Sequence, residues 1–481
     1  MSVNWTADRP WRVAIVGGGL AGLTAAYRLD ELCRQENRPH EFVMFEATSQ
    51  LGGIVGTRQM HGYTVELGAD SFITNKPWAV DLCRRLGIEG RLIPTDARYR
   101  RSLVLRKGKP VPVPDGFQLL APVNVATVFR SPIFSWPGKL RLACEYLIPR
   151  GAPQSDESLA SFARRRFGQE ALERLIQPMV GGIYTSDPEK LSLRATMPRF
   201  LEMEQAYGSV IKALRSQEQS GRSDDKTASG ARYGLFATPA GGISELVQAL
   251  ADRVLASAQV HLNAEITALE AAPDGHGYVM QRPGQQPQAF DAVVLAIPAY
   301  RIADLVAGFA GELAQQLRTI DYASSAIVVS GHKLSDIRHP LDAFGLVVPA
   351  IEKRRILAVS FTSRKFPGRA PEGCVMLRTF VGGATQPELV KLSDAEILDL
   401  VREELTDILG VTWKPDFAIV ARWMRSMPQY HVGHLDLVAK INRELAGLPR
   451  LALAGHAYNG VGIPDTVHSG EAAAERVFAS S

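Results

Sequence analysis

The stretch Arg12-Val13-Ala14-Ile15-Val16-Gly17-Gly18-Gly19-Leu20-Ala21-Gly22 decides how the rest of the chain is read. Its first five residues are apolar or β-branched enough to predict a strand, the glycines break it, and helical spacing resumes at Leu20 and Ala21. In a strand, turn and helix of this kind Gly17 permits the tight turn and Gly19 lets the backbone approach a pyrophosphate. Gly22 lets the helix pack on the strand, with the helix N-terminus aimed at the phosphates. A second run, Glu41-Phe42-Val43-Met44-Phe45, ends in Glu46, 24 positions after Gly22, where a carboxylate can accept hydrogen bonds from both hydroxyls of a ribose. A glycine turn of purely structural use needs neither that second strand nor the acid. Strand, helix, strand and acid in this order predict a dinucleotide site.

Outward from Glu46, Leu51-Gly52-Gly53 follows closely, and the arrangement resembles the extended fingerprint of the flavin amine oxidase and protoporphyrinogen oxidase superfamily. The resemblance favours FAD over NAD. Where that family usually has a basic residue just before Leu-Gly-Gly, this chain has Gln50. Gly241-Gly242-Ile243 is similar to a second motif of the family, and Ile266 stands where the family packs an apolar side chain beside adenine. Trp423, Pro428, Gln429 and Tyr430 form a shared pattern whose tryptophan lies near the cofactor in the family. Finally, a buried strand ending at Gly455 leads through Gly460-Val461-Gly462-Ile463-Pro464-Asp465 into a helix expected from Thr466 to Phe478. A helix N-terminus after such a loop sets backbone N–H groups where a reduced flavin gains negative charge.

Because these motifs run from end to end, the resemblance covers nearly the whole chain and implies its organisation. The expected fold mixes α/β and α+β: a Rossmann-type FAD-binding domain, discontinuous in sequence (1–94, 206–300, 415–481), an inserted α+β substrate domain (301–414) and a helical subdomain (95–205). The polar, serine-rich stretch 217–230 is expected to be a mobile loop. In the substrate domain, Ser393 and Glu396 have capping-box spacing, and Gly410 stands where a C-terminal cap belongs. In 95–205, Phe117, Leu120, Phe134 and Trp136 beside Arg100, Arg101 and Lys109 have two readings, a helical core or a peripheral membrane-docking surface. Helices are expected over 158–167 and 170–179, with a familial turn at 178–184.

The activity implied is that of the oxygen-dependent porphyrinogen oxidases of haem biosynthesis. A porphyrinogen loses six electrons in three flavin cycles, and oxygen reoxidises the flavin to give hydrogen peroxide. The flavin supplies the chemistry, so no catalytic nucleophile, acid or base is assigned. In the mitochondrial and plant branch an arginine occupies the position of Asp70 and pairs with a substrate propionate. Asp70-Ser71-Phe72 with Lys76 is more like the bacterial branch, which oxidises coproporphyrinogen as well as protoporphyrinogen. Ala343 to Pro349 resembles the substrate-pocket strand, giving Phe344, Gly345 and Val347 as contacts, and Phe380 matches a ring-stacking phenylalanine. Arg378 shares a face with Phe380 on a period-2 strand, which suits a propionate beside a pyrrole, although an ordinary strand-surface arginine is the commoner case.

Composition excludes several classes. Lys plus Arg number 54 against 50 Asp plus Glu, too mild an excess for a nucleic-acid binder. The four cysteines, Cys33, Cys83, Cys144 and Cys374, are too dispersed for a zinc site or disulfide framework and suit a reduced, cytoplasmic setting. His431 and His434 have no companion ligand, so no metal is expected. Neither a signal peptide nor a membrane-spanning run is expected. Expected partners are the porphyrinogen, oxygen, and a membrane surface or the next haem-pathway enzyme; a homodimer stays open. An amine oxidase would often carry a cysteine for flavin attachment near the C-terminal loop, and none follows Cys374. A carotenoid-type desaturase fits the Phe344 and Trp423 segments less well. A flavin-free lipid-binding regulator on this fold is opposed by Gly17, Gly19, Gly22, Glu46 and Gly462.

Overall fold

A computed structural model describes residues 9–151, 156–219, 236–273 and 275–480. At its centre five strands run parallel in the order Ala258–His261, His40–Phe45, Trp11–Val16, Ala292–Leu295, Leu451–Leu453. Helices cover both faces, which is why the strands read as continuous apolar runs; every residue of Ala292–Leu295 is fully buried. On one face the first helix, Leu20–Gln35, packs along the C-terminal helix, Ile463–Ala479. They approach so closely that a Cβ on Gly470 would stand 2.5 Å from the Ala21 carbonyl oxygen. The opposite face carries a three-stranded antiparallel sheet and the helices Ala299–Val306, Gly311–Arg318 and His434–Ala446.

A second sheet has seven strands in the order Phe417–Pro428, Tyr322–Lys333, Cys374–Gly382, Ala358–Phe361, Gly345–Val347, Ser102–Arg106, Lys109–Pro112. Its two edges come from outside 301–414, so the segments 102–112 and 417–428 belong to this layer and not to their expected neighbours. The sequence hides this because the joins are long-range pairings: Leu103 opposes Leu346, and Ile419 opposes Val329. Helix Asp394–Leu409 covers one face, with the Ser393–Glu396 capping box formed and Gly410 left-handed at its end. The other face packs against Tyr63, Val65 and Leu67.

The described residues between 125 and 219 are mostly helical and pack around their own core. Phe117, Leu120 and Phe134 lie inside that core, which corrects the docking role considered for them; Trp136 alone of the four is exposed, at 68%. The turn expected at 178–184 is a helix, Gln177–Tyr184, which continues from a π-helical turn, Leu172–Ile176, just before Pro178, whose ring removes one N–H from the helical ladder. The expected loop 217–230 lies outside the described residues except for 217–219, which end the helix Val210–Gln219.

Candidate cofactor and substrate site

A cavity of about 600 Å³, within the range of cofactor sites, opens beyond the carboxyl ends of the parallel strands. Its glycines do what the pattern requires. Gly17 has φ +106°, and a Cβ there would stand 2.4 Å from the Ala296 carbonyl oxygen. Gly22 does not line the cavity, but a Cβ on it would fall 1.9 Å from the Gly17 oxygen, so it sets the helix against the turn. Gly19 caps the first helix and faces open space, with Gly53 the only close atom. Gly52 donates to the Gly18 carbonyl at 2.9 Å, which fastens Gly52 and Gly53 beside the phosphate turn. Leu20 and Ala21 complete this wall.

At one end Glu46 is nearly buried. One of its oxygens accepts the N–H and hydroxyl of Thr48, both at 2.8 Å, and the other accepts the Gly18 N–H at 2.7 Å. Two lone pairs of the carboxylate are taken on the first oxygen and one on the second, which leaves a directed acceptor for a ribose hydroxyl. Ile266 lines the same end. At the other end stand Gly455, Val461, Gly462 and Ile463, with Gly462 as the cap of the C-terminal helix. Two helix N-termini therefore face one cavity, as a pyrophosphate and an anionic ring system require. The cavity fits FAD, which Glu46, the glycine turns and the 455–463 loop would hold. Among the described residues no group of His, Cys, Asp and Glu could hold a metal ion.

Trp423 does not line the cavity. It stands behind the wall and donates its indole N–H to the Leu67 carbonyl at 2.8 Å. Residues the sequence motifs missed are Tyr300, Tyr322 and His456, all lining. Tyr322 accepts the Ala299 N–H at 2.9 Å, and His456 is bound to the Ser426 carbonyl, its basicity lowered by burial. Tyr300 and His456 each follow the end of a parallel strand, so strand topology would have found them; Tyr322 carried no such signal.

On the seven-stranded sheet, Val347, Ala358 and Phe380 stand opposite one another across three strands, and Gly345, Ser360 and Arg378 form the next row. Residues in register share a face, so Gly345, Val347, Arg378 and Phe380 are brought together as expected. The Arg378 guanidinium lies 5.5 Å from the Phe380 ring centroid. Phe344 stands one residue before its strand, buried, and outside these rows. The two cations expected to meet propionates are already engaged. Arg378 is almost fully buried, 3.1 Å from Asp70, and also donates to the Gly68 carbonyl. Lys76 binds Asp465 at 2.5 Å but keeps 39% of its side chain exposed. The sequence could not give these partners, since 308 positions separate Asp70 from Arg378.

The fold and cavity define a flavoprotein oxidoreductase. The chain belongs to the family of flavin-containing amine oxidoreductases, whose model matches residues 20–478. It is 33% identical to coproporphyrinogen III oxidase of Bacillus subtilis, over 97% of this chain and 98% of the relative. To mitochondrial protoporphyrinogen oxidase of Nicotiana tabacum it is 27% identical, over 97% and 94%. A crystal structure from Exiguobacterium, named provisionally as a protoporphyrinogen oxidase, superposes with a TM-score of 0.86 at 28% identity, covering 98% of this chain and 99% of that one.

Proposed function

We propose that this protein is an FAD- and oxygen-dependent porphyrinogen oxidase of haem biosynthesis that converts coproporphyrinogen III to coproporphyrin III, with protoporphyrinogen IX as the weaker substrate. The observation that carries this reading is the end-to-end likeness to the Bacillus subtilis relative, joined to a cavity that fits FAD. Bound FAD supplies the redox chemistry, taking electrons from the porphyrinogen and passing them to oxygen as hydrogen peroxide. The protein's own share is placement. The floor of the substrate site is the sheet face of Val347, Ala358 and Phe380, which reaches from the helical core to Leu67, at the start of the segment that enters the cavity wall at Ala69. Gly345 lets its strand pack close to the next, since a Cβ there would stand 2.5 Å from the Val359 carbonyl oxygen. Phe344 backs the strand, and Lys76 is the cation with surface to offer a propionate.

The test is kcat/KM for both porphyrinogens, read by porphyrin fluorescence, in wild type, Lys76→Ala and Phe380→Ala. Preference for coproporphyrinogen that shrinks in Lys76→Ala, with Phe380→Ala slowing both substrates, supports the reading. Preference for protoporphyrinogen in wild type overturns the substrate assignment.

A peripheral membrane contact is proposed for a patch around Trp136, the one exposed residue of the four apolar side chains first singled out. No described helix is long and apolar enough to cross a membrane. Helix Trp136–Ala143 and the turn Cys144–Leu147 expose Trp136, Leu140 and Leu147 at 68%, 58% and 81%. Those positions recur at helical spacing on one side, an arrangement suited to lying in a headgroup layer.

A further inference from the structure

The segment from Leu67 to Ser71 runs along the cofactor cavity, with Ala69 and Ser71 in its wall. Gly68 must be glycine, because a Cβ there would stand 2.0 Å from the Ile54 carbonyl oxygen. Several side-chain anchors of this segment come from the seven-stranded sheet and the turn beside it. Trp423 holds Leu67, and Arg378 holds Gly68 and the Asp70 carboxylate. Lys365 donates to both Asp70 oxygens, at 3.1 and 3.3 Å, and to the Ser71 hydroxyl at 2.9 Å. Ser71 in turn donates to Asp70 at 2.7 Å.

Counting charge at this cluster gives two cations, Lys365 and Arg378, on one anion, Asp70. The neighbouring Arg369 and Glu66 lie 3.7 Å apart and compensate each other. The side chains of Lys365 and Asp70 are 13% exposed and that of Arg378 is 3% exposed, so water screens the excess poorly. The Arg378 Nε is buried with no hydrogen-bond partner, a further sign that the cluster holds more donors than acceptors. Ser71 forms a single-residue bridge between the Lys365 ammonium and the cavity. A fixed, poorly screened cation beside a redox cofactor favours whichever oxidation state is more negative.

We propose that Asp70, Lys365 and Arg378 form a positioning triad whose one surplus positive charge, fixed behind Ala69 and Ser71, raises the reduction potential of the bound FAD. This rests on the FAD reading above. The strand that follows Ser71, Phe72–Ile73, packs against the C-terminal helix, so the triad adds a second positive field to that helix's N-terminus, from a different wall. The negatively charged reduced cofactor then binds more tightly relative to the oxidised one. None of the three residues needs to touch substrate for this.

The experiment is the midpoint potential of purified holoenzyme, measured by dye equilibration at constant pH, in wild type, Lys365→Met, Lys365→Arg and Asp70→Asn. Removing the cation in Lys365→Met is expected to weaken reduced relative to oxidised FAD at least tenfold, a fall of about 30 mV for a two-electron couple. Asp70→Asn, which enlarges the surplus, is expected to move the potential the opposite way, and Lys365→Arg to leave it near wild type. A merely structural triad would lower flavin content in Lys365→Met and Asp70→Asn alike and would not produce opposite shifts. Equal or absent shifts in FAD-loaded protein overturn the proposal. Should Lys365→Met fail to fold, Asp70→Asn against Lys365→Arg still decides, since only the first is expected to shift upward. Preparations that bind no FAD in any form would refute the cofactor reading itself, which is a distinct outcome.

Discussion

Around the cofactor cavity the deciding atoms belong to the backbone, whereas on the facing sheet they belong to side chains that already have partners. Gly17, Gly19 and Gly22 act by lacking a Cβ, and the two helix ends act through N–H groups that every residue but proline carries. Arg378 and Lys76 are instead defined by Asp70 and Asp465, which arrive from distant parts of the chain. Backbone sites are therefore intolerant of almost any substitution, while charge sites respond in a graded way to the loss of one partner.

The largest effect that sharpens this contrast is expected at Gly22. Gly22→Ala puts a methyl group 1.9 Å from the Gly17 oxygen, against backbone that cannot yield cheaply. FAD affinity should fall by more than about 100-fold, seen as loss of the visible flavin absorbance in purified protein. Retention of full flavin content would break the claim that the turn is set by backbone contact.

Glu46 acts in the cofactor half through a charged side chain, so it should behave like the other wall. Glu46→Gln keeps the shape but weakens a charge-assisted hydrogen bond, for a loss of roughly 10- to 100-fold in FAD Kd by titration of apoprotein. An unchanged Kd would mean that the ribose lies elsewhere.

How much was legible in the sequence follows the same division. The glycine turns, Glu46, Ile266 and the 455–463 loop were readable because each motif states its own local geometry, and these residues line one cavity. The shared face of Arg378 and Phe380 was readable from strand period. Not readable were the partners of Arg378 and Lys76, the two strands recruited into the seven-stranded sheet, and the burial of Phe117, Leu120 and Phe134. All of these depend on contacts made between remote segments, and an apolar residue in a loop-like stretch looks the same whether it faces core or membrane.

A smaller effect is expected from pH. His332 is fully buried in the seven-stranded sheet, its imidazole nitrogen 2.8 Å from the Ser330 hydroxyl, and desolvation pulls its pKa from 6.5 down to about 4. The unfolded chain takes the proton first, so this contribution to stability is fully present above pH 6.5 and drains as pH falls toward 4. It amounts to at most about 3 kcal/mol. Tm measured across that window should fall more steeply in wild type than in His332→Gln; parallel curves would assign the acid sensitivity to other groups.

The smallest effect concerns the exposed stripe, which lies outside both walls. The double substitution of Trp136→Ser and Leu147→Ser should reduce flotation with vesicles of mixed neutral and anionic lipid while leaving kcat on dissolved porphyrinogen near wild type. Equal flotation would remove the membrane from this surface.

The central claim, a backbone-built FAD site facing a sheet floor shaped for a porphyrinogen, is tested most directly by mixing the FAD-loaded protein with coproporphyrinogen III in air. Porphyrin fluorescence and hydrogen peroxide are followed together in the same sample. Porphyrin formation well above the uncatalysed rate, with about three molecules of peroxide for each porphyrin, is the expected result. Porphyrin appearing no faster than in buffer, while an amine substrate reduces the flavin under the same conditions, would contradict it.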